Sequence, residues 1–360
     1  MLRSLVALRA SMVLGLAAAN LPAQAASDCK LSQVADWPVL STRGVPVVEG
    51  FVNGQKVGVL LDTGGATMMF RSATSRLGLT RQQARGYRVF GIGGESYVES
   101  TKIDEFKMGS LARKNWEVMV AGDRDLGRAV DLILGEDVFT KVDIEFDLPH
   151  KRVRLFQPKE CEGLVLAYWA PQDARQVDLE PGPWIIIPVK INGQTMQALL
   201  DSGADVSVLD KLAAARLGLT QDSPGVTLSG THGGIGAKSV DDWIAPLQRF
   251  VIGDEAISDT TIRFANVWKD ATHTFGGSQV PRKFETMQAM LLGADFLRSH
   301  RVLVANSQRK MYFTYEGGPV FQPKAQAAPA PGRAGQGVAA PPPKPEAGAD
   351  TDAQMPSKLR

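Results

Sequence analysis

The chain has 360 residues, of which 44% are hydrophobic and 22% charged, and its formal net charge is +2. This length and apolar content allow one large core or two smaller ones. The near-neutral balance gives no electrostatic case for nucleic-acid binding, which favours a concentrated basic face. After the first 25 residues no apolar run approaches the ~18 residues of a membrane span.

The first 25 residues are typical of a secretory signal. Arg3 and Arg9 make a basic start, residues 12–19 are apolar, and Ala23-Gln24-Ala25 offers a small-residue cleavage site. Removing them takes away two arginines and no acids, so the formal charge falls to 0. We therefore expect an exported protein, periplasmic or secreted, with no membrane span after signal removal.

Cysteine and histidine usage bears on disulfides and metals. An exported chain with only Cys29 and Cys161 favours one structural disulfide, and two unpaired buried thiols remain the alternative. The histidines are scattered without the spacing of a metal site, so we expect neither a metal nor another cofactor. They are His150, His232, His273 and His300.

The mature chain begins with a short lead over residues 26–44. Two strands joined at Asn53-Gly54 are predicted over residues 45–61, because Asn-Gly favours a tight hairpin turn. The turn Asp62-Thr63-Gly64 follows, and a short helix is predicted over residues 71–77. A glycine-rich tip between two strand-like arms and an apolar element come next, at Gly91-Ile92-Gly93-Gly94 and Ile133-Leu134-Gly135.

The same order recurs after a proline-containing linker over residues 159–182. The second acid, in Asp201-Ser202-Gly203, lies 139 residues beyond the first, and Asn192-Gly193 precedes it at the same spacing as in the first copy. The matching tip and apolar element are Gly233-Gly234-Ile235-Gly236 and Leu291-Leu292-Gly293. We therefore predict two mostly-β lobes, over residues 45–158 and 183–316, followed by a disordered Pro/Ala/Gly-rich tail over residues 317–360.

The repeated acid indicates a chemical role. If the halves pack about an internal two-fold axis, Asp62 and Asp201 face each other across it. Two carboxylates held ~3 Å apart cannot both ionise, so one keeps its proton while the other is charged. The pair then supplies a general base and a general acid at one point. Such a pair can hydrolyse a peptide bond without a nucleophilic side chain or a metal. The alternative is a duplicated β unit that kept its turns for folding alone.

The residues beside each acid suit this role. The N–H groups of Gly64 and Gly203 can hydrogen-bond the carboxylates, and the hydroxyls of Thr63 and Ser202 can cross-link the two turns. The glycine-rich tips are interpreted as mobile hairpins that close over an extended peptide and exclude water.

These motifs resemble those of the retropepsin-like aspartic proteases, in which Asp-Thr/Ser-Gly follows an apolar strand and an Ile/Leu-Leu-Gly element comes later. The resemblance covers roughly residues 45–156 and 185–315. It implies two pseudo-symmetric retropepsin/pepsin-like β-barrel lobes with an active-site cleft between them, and an aspartic endopeptidase with Asp62 and Asp201 as its catalytic dyad. It also implies that the residues following each acid support the active-site loops, that the glycine-rich tips are flaps, and that the Leu-Gly elements pack behind the loops.

Because one chain carries both halves, the resemblance implies an active monomer that acts on an extended peptide or protein substrate. Gly65 departs from the family pattern, which has Ser or Ala there, and its backbone freedom is expected to loosen the first turn. Two other functions remain open: an exported peptide-binding module that uses the same cleft without cutting, and a hydrolase of a non-peptide cell-envelope component.

Overall fold

A computed structural model of the chain describes residues 28–40, 44–122, 130–236, 238–268, 272–273, 282–283 and 288–321. The predicted signal over residues 1–25 lies outside the described residues, and so does the predicted tail beyond residue 321. Strands are the main secondary structure, which confirms the prediction of a mostly-β fold.

The first lobe is a small barrel, and strand β1 (Lys30–Pro38) precedes it. Its elements are β2 (Val47–Val52), β3 (Gln55–Leu61), β4 (Met68–Phe70), α1 (Arg71–Arg76), β5 (Arg81–Gly91), β6 (Gly94–Met108), β7 (Leu111–Ala121), β8 (Leu132–Leu134) and α2 (Glu136–Phe139). The strands lie in the order β2-β3-β8-β4-β7-β6-β5, and β2 also pairs with β6. That extra pairing closes six strands into a barrel, so β5 and β6 extend from it as a long hairpin.

The second lobe repeats this arrangement. Three strands come between the lobes, namely β9 (Asp143–Asp147), β10 (Arg152–Lys159) and β11 (Arg175–Asp178). The second lobe then contains β12 (Ile186–Ile191), β13 (Gln194–Leu200), β14 (Val208–Asp210), α3 (Lys211–Arg216), β15 (Thr227–His232), β16 (Val240–Ile252), β17 (Glu255–Ala265), β18 (Thr272–His273), β19 (Arg282–Lys283), β20 (Met290–Leu292) and α4 (Ala294–Ser299), with β21 (His300–Ala305) and β22 (Lys310–Tyr315) after it. Its sheet order, β12-β13-β20-β14-β17-β16-β15 with β12 also paired to β16, matches the first lobe strand for strand. The predicted pseudo-symmetric pair of barrels is therefore confirmed.

The hairpin that leads to each acid turns at Asn-Gly, as predicted. Asn53 and Gly54 have φ of 48° and 78°, and Asn192 and Gly193 have φ of 47° and 85°. A two-residue hairpin turn of type I′ requires positive φ at both central residues, a conformation that Asn and Gly tolerate best. The same turn chemistry therefore sets the register of the strand before each acid.

Each acid-bearing strand runs parallel to the short strand of the apolar element. Leu60 of β3 lies opposite Ile133 of β8, and Leu199 of β13 lies opposite Leu291 of β20. All four residues are almost fully buried. The apolar elements therefore pack directly beside the strands that deliver the acids.

A third sheet is built from both halves of the chain, in the order β1-β10-β9-β21-β22-β11. β9 pairs with β21 across the halves, for example at Phe146 and Val302, both fully buried. The segments that the sequence analysis treated as a lead and a linker each contribute a strand to it, β1 and β11. In β1 the buried Ala35 and Trp37 alternate with more exposed residues, as expected for a strand with one face on the core.

The disulfide between Cys29 and Cys161 is present, with the two Cα atoms 4.5 Å apart. It joins the residue before β1 to the segment just after β10, the strand with which β1 pairs. The bond therefore holds the start of the described chain on the edge of the third sheet.

The ordered chain continues past Tyr315 into the segment that the sequence analysis assigned to the tail. Val320 and Phe321 are 8% and 3% exposed, and the ring of Phe321 lies 5.1 Å from that of Phe250 in an edge-to-face contact. Two apolar residues within an otherwise polar, Pro-rich segment explain why this end packs on the second lobe. Across the described ranges, no helix is long and apolar enough to span a membrane.

Candidate active site

The two acids occupy equivalent turns at the ends of β3 and β13. The backbone N–H of Asp62 donates to the carbonyl of Leu134 at 3.0 Å, and that of Asp201 donates to the carbonyl of Leu292 at 2.9 Å. The apolar elements predicted from the repeat therefore fix the backbone of both acids.

The structure brings the two acids together. The carboxyl of each acid lies against the turn that carries the other acid. The turns around them are in van der Waals contact: a Cβ added to Gly64 would lie 2.5 Å from Cγ of Asp201, and one added to Gly203 would lie 2.4 Å from Cγ of Asp62. Only glycine at both positions allows each turn to approach the opposite carboxyl this closely.

Backbone N–H groups hold the carboxyls in place. Gly64 donates to Oδ1 of Asp62 at 2.9 Å, while Gly203 and Ala204 donate to Oδ1 of Asp201 at 3.0 and 3.1 Å. These bonds favour the ionised form, but burial outweighs them and raises the pKa of both carboxyls. Repulsion between the two charges raises the pKa of Asp62 further. The pair therefore keeps one proton at a pH where isolated aspartates are both ionised.

Thr63 and Ser202 lock the two turns together through four reciprocal hydrogen bonds. The Thr63 hydroxyl donates to the carbonyl of Leu200 at 2.6 Å and accepts from the N–H of Ser202 at 3.1 Å. The Ser202 hydroxyl donates to the carbonyl of Leu61 at 2.7 Å and accepts from the N–H of Thr63 at 3.0 Å. Both side chains are fully buried, so no water competes for these bonds.

We expect Thr63→Val to destabilise the protein, because valine matches threonine in shape but has no hydroxyl. The N–H of Ser202 and the carbonyl of Leu200 would then be buried without partners, at about 1–3 kcal/mol each. Urea denaturation should show a lower midpoint, together with reduced activity. Thr63→Ser keeps the hydroxyl and is the matched control; equal midpoints for the valine and serine variants would contradict this role.

Gly65, the departure from the family pattern, has a steric explanation. A Cβ at this position would lie 2.6 Å from Oδ2 of Asp62. Ala204 stands at the equivalent position of the second turn, which contains one more residue before the next strand. The backbone at Gly65 is therefore packed too closely on the carboxyl of Asp62 to accept a side chain. This contact does not support the expectation that glycine loosens the first turn.

A second set of hydrogen bonds, which the sequence analysis did not assign, joins each turn to its apolar element. Asp137 accepts from the hydroxyl and N–H of Thr67, and the Thr67 hydroxyl accepts from the N–H of Gly135 at 2.9 Å. In the second lobe Asp295 and Ser207 repeat the arrangement with Gly293. The signal was present in the repeat, because an acid stands two residues after the glycine of both apolar elements.

Asp295 is the more deeply buried of these two supporting acids. Burial raises its pKa to about 6, against the opposing effect of the hydrogen bonds from Ser207 and the N–H of Phe296. Its ionised form, which accepts both Ser207 bonds, therefore predominates only above about pH 6.

The two glycine-rich tips contact each other. The N–H of Gly234 donates to the carbonyl of Ile92 at 2.8 Å, and the N–H of Lys238 donates to the carbonyl of Gly93 at 3.0 Å. A Cβ on Gly236 would lie 2.2 Å from the carbonyl oxygen of Gly93, so the contact requires glycine there. The first tip is the turn of the β5–β6 hairpin, and the second connects β15 to β16.

A cleft of about 1080 Å³ lies between the acids and the tips. Asp62 and Asp201 are on its wall, and so are Gly91 and Ile92 of the first tip and Ile235 of the second. The rest of the wall is mainly apolar. Within the described ranges, no group of three or more His, Cys, Asp or Glu side chains is arranged to hold a metal ion.

The chain matches a known protein family. A family model described as aspartyl protease matches residues 48–138 and 187–296, which together cover more than half of the chain. Each matched segment contains one acid, its following turn and the apolar element beside it. A search of curated proteins finds no match.

Proposed function

Since the chain belongs to the aspartyl protease family, we propose that it is an endopeptidase whose catalytic groups are Asp62 and Asp201. The observation that carries the proposal is the close approach of each acid's carboxyl to the turn that carries the other acid, on the wall of a large, mainly apolar cleft. Two buried acids in contact raise the free energy of the folded state unless they share a proton, so their presence together favours a chemical role.

The shared proton defines the chemistry. The ionised carboxyl takes a proton from a bound water, whose oxygen bonds to the carbonyl carbon of the peptide, while the protonated carboxyl gives its proton to the carbonyl oxygen. The carboxyl that gained the water's proton then passes it to the amide nitrogen, and the C–N bond breaks. One hydroxyl of the intermediate returns a proton to the other carboxyl. The products are a carboxylic acid and an amine, and the pair again holds one proton.

The surrounding bonds support this reaction by holding the carboxyls before substrate arrives. The N–H groups of Gly64 and Gly203 and the Thr63–Ser202 lock leave the two groups little freedom to separate. A preorganised polar site needs little rearrangement when charge develops in the transition state.

The tips are proposed as flaps over an extended peptide. In the present arrangement the carbonyls of Ile92 and Gly93 accept hydrogen bonds from the opposite tip. A peptide in the cleft can replace those partners with its own backbone N–H groups, as an added strand does at a sheet edge. Both flaps and both acids come from one chain, so we propose that the monomer is active.

We also propose that the protein works after export, in the periplasm or outside the cell. The proposal is supported by the signal-like pattern of residues 1–25 and by the Cys29–Cys161 disulfide, which persists best in an oxidising compartment.

The test is to incubate the purified protein with a diverse peptide mixture at several pH values and identify products by mass spectrometry. Internal cleavage that is strongest in acid, with a new carboxyl and a new amine at each cut, is expected. Peptide binding without cleavage would overturn the proposal in favour of a binding module. Hydrolysis of a cell-envelope component but of no peptide would favour the non-peptide hydrolase.

A further inference from the structure

The β5–β6 hairpin, which carries the first glycine-rich tip, is held by a side chain from outside it. Arg71, the first residue of α1, donates from Nη1 to the Ser96 hydroxyl at 3.1 Å and from Nη2 to the carbonyl of Tyr97. Its Nε donates to Oε2 of Glu99 at 2.8 Å, and the two side chains form an ion pair. One guanidinium therefore binds three residues of β6, each through a different nitrogen.

These contacts are largely shielded from solvent. The side chains of Arg71 and Glu99 are 23% and 24% exposed, and Ser96 is buried. The Ser96 hydroxyl also accepts from the N–H of Gly122 at 3.2 Å. Hydrogen bonds from a charged donor are among the stronger ones in proteins, and the planar guanidinium suits several fixed acceptors at once. The set is therefore stronger than an ion pair on the surface.

The place at which Arg71 holds the hairpin is close to the tip. Ser96 is three residues beyond Gly93, a distance of about 10 Å along a strand. Its partner on the other arm is Val89, which lies on the cleft wall. Arg71 follows β4, and β4 begins six residues after Asp62. The guanidinium therefore ties the tip of the hairpin to the segment that follows the first acid.

The second lobe has a different contact at the equivalent place. Arg71 and Lys211 are the first residues of α1 and α3. Glu99 and Trp243 correspond by register, because each lies opposite the penultimate residue of the next strand, β7 or β17. Nζ of Lys211 lies 4.7 Å from the centre of the Trp243 ring, a cation–π contact. Since both barrels close in the same way, the barrel fold itself does not require the bonds of Arg71.

We propose that Arg71 is a positioning residue that fixes the first flap over the cleft, so that only the residues beyond Ser96 bend when a peptide enters. Arg71 does not touch the peptide. It keeps Val89 and the tip at the height from which they contact a bound peptide, and so stabilises the closed complex. The inference rests on the proposed function, because it assigns a residue that acts on the same cleft.

The test compares Arg71→Met with wild type by steady-state kinetics and by amide hydrogen exchange of residues 88–99. Exchange there should rise about tenfold or more, as expected when hydrogen bonds from a charged group are lost. KM should rise about tenfold and kcat should change less, because the flap binds the peptide but transfers no proton. Arg81 lies 3.8 Å from the Glu99 carboxylate, so the variant does not leave Glu99 without a cation nearby.

Two further variants make the test specific. Lys211→Met removes the cation at the equivalent place of the second lobe and should leave exchange of residues 88–99 unchanged. Arg71→Lys keeps the positive charge but supplies one nitrogen in place of three, so its effects on exchange and KM should be in the same direction and smaller. It also carries the test if Arg71→Met does not fold.

Unchanged exchange of residues 88–99 in the Arg71 variants would overturn the inference. So would a rise that is equal in β2 and β3, which would show a general structural role, or an unchanged KM in a variant whose hairpin exchanges faster. If wild type cleaves no peptide but Arg71→Met raises exchange in residues 88–99 alone, the proposed peptidase function fails, while the assignment of Arg71 as the residue that fixes this hairpin stands.

Discussion

Asp62→Asn and Asp201→Asn are each expected to reduce kcat/KM for peptide hydrolysis by about 10²–10⁴-fold or more. An amide can neither take the proton of the attacking water nor release one to the peptide, so either change removes half of the acid–base pair. Asparagine has nearly the same shape as aspartate and relieves the burial of an ionisable group. Folding stability should therefore be unchanged or increased, and the measurement is steady-state kinetics beside thermal denaturation.

Asp222→Asn, at an exposed position, is the matched control and should leave kinetics unchanged. The double variant Asp62→Asn/Asp201→Asn should lose no more activity than either single variant, because residues that act as one unit are not additive. Wild-type kcat/KM in either single variant would show that the two carboxyls do not form a catalytic pair.

Gly64→Ala and Gly203→Ala are each expected to lower both catalytic activity and folding stability. The added methyl carbon would lie 2.5 or 2.4 Å from the carboxyl carbon of the opposite acid, well inside van der Waals contact. The turns must separate to admit it, and separation stretches the bonds that Thr63 and Ser202 make across them. Overpacking of this kind costs about 1–3 kcal/mol, and a displacement of about 1 Å at reacting groups costs about 10²-fold in rate.

Kinetics and urea denaturation of both variants measure these two effects. Gly54→Ala is a control that separates the loss of stability from the loss of activity. Its added methyl group would contact nothing within 4 Å, but the backbone φ of +78° at this position is strained for any residue with a side chain. That control should lose stability and keep its kcat/KM. Retention of wild-type activity by Gly64→Ala would contradict the close approach of the two turns.

The roles of the two acids and of the residues next to them could be predicted, because those roles depend on neighbours that are close in the sequence. Asp62 and Asp201 stood out through their matched spacing to Asn-Gly. The pairing of Thr63 with Ser202 followed from two hydroxyls beside two acids on an internal axis. Asp137 and Asp295 each stand two residues after the glycine of an apolar element. Their hydrogen bonds to Thr67 and Ser207, however, depend on how the loops fold back, which sequence spacing alone does not determine.

Non-local pairings were harder to predict. β1 pairs with β10 over a sequence separation of more than a hundred residues, and its mixed pattern near Trp37-Pro38 carries no strong strand signal. The contact between Ile92 and Gly234 joins tips that were each predicted separately.

The central claim is that Asp62 and Asp201 share one proton during catalysis, and the pH dependence of wild-type kcat/KM tests it most directly. Between about pH 3 and pH 8 the account predicts a bell-shaped profile, with activity lost in strong acid when both carboxyls are protonated and lost toward neutral pH when both are ionised. An activity that rises with pH to a plateau and stays there would indicate a single base, and would contradict the shared proton.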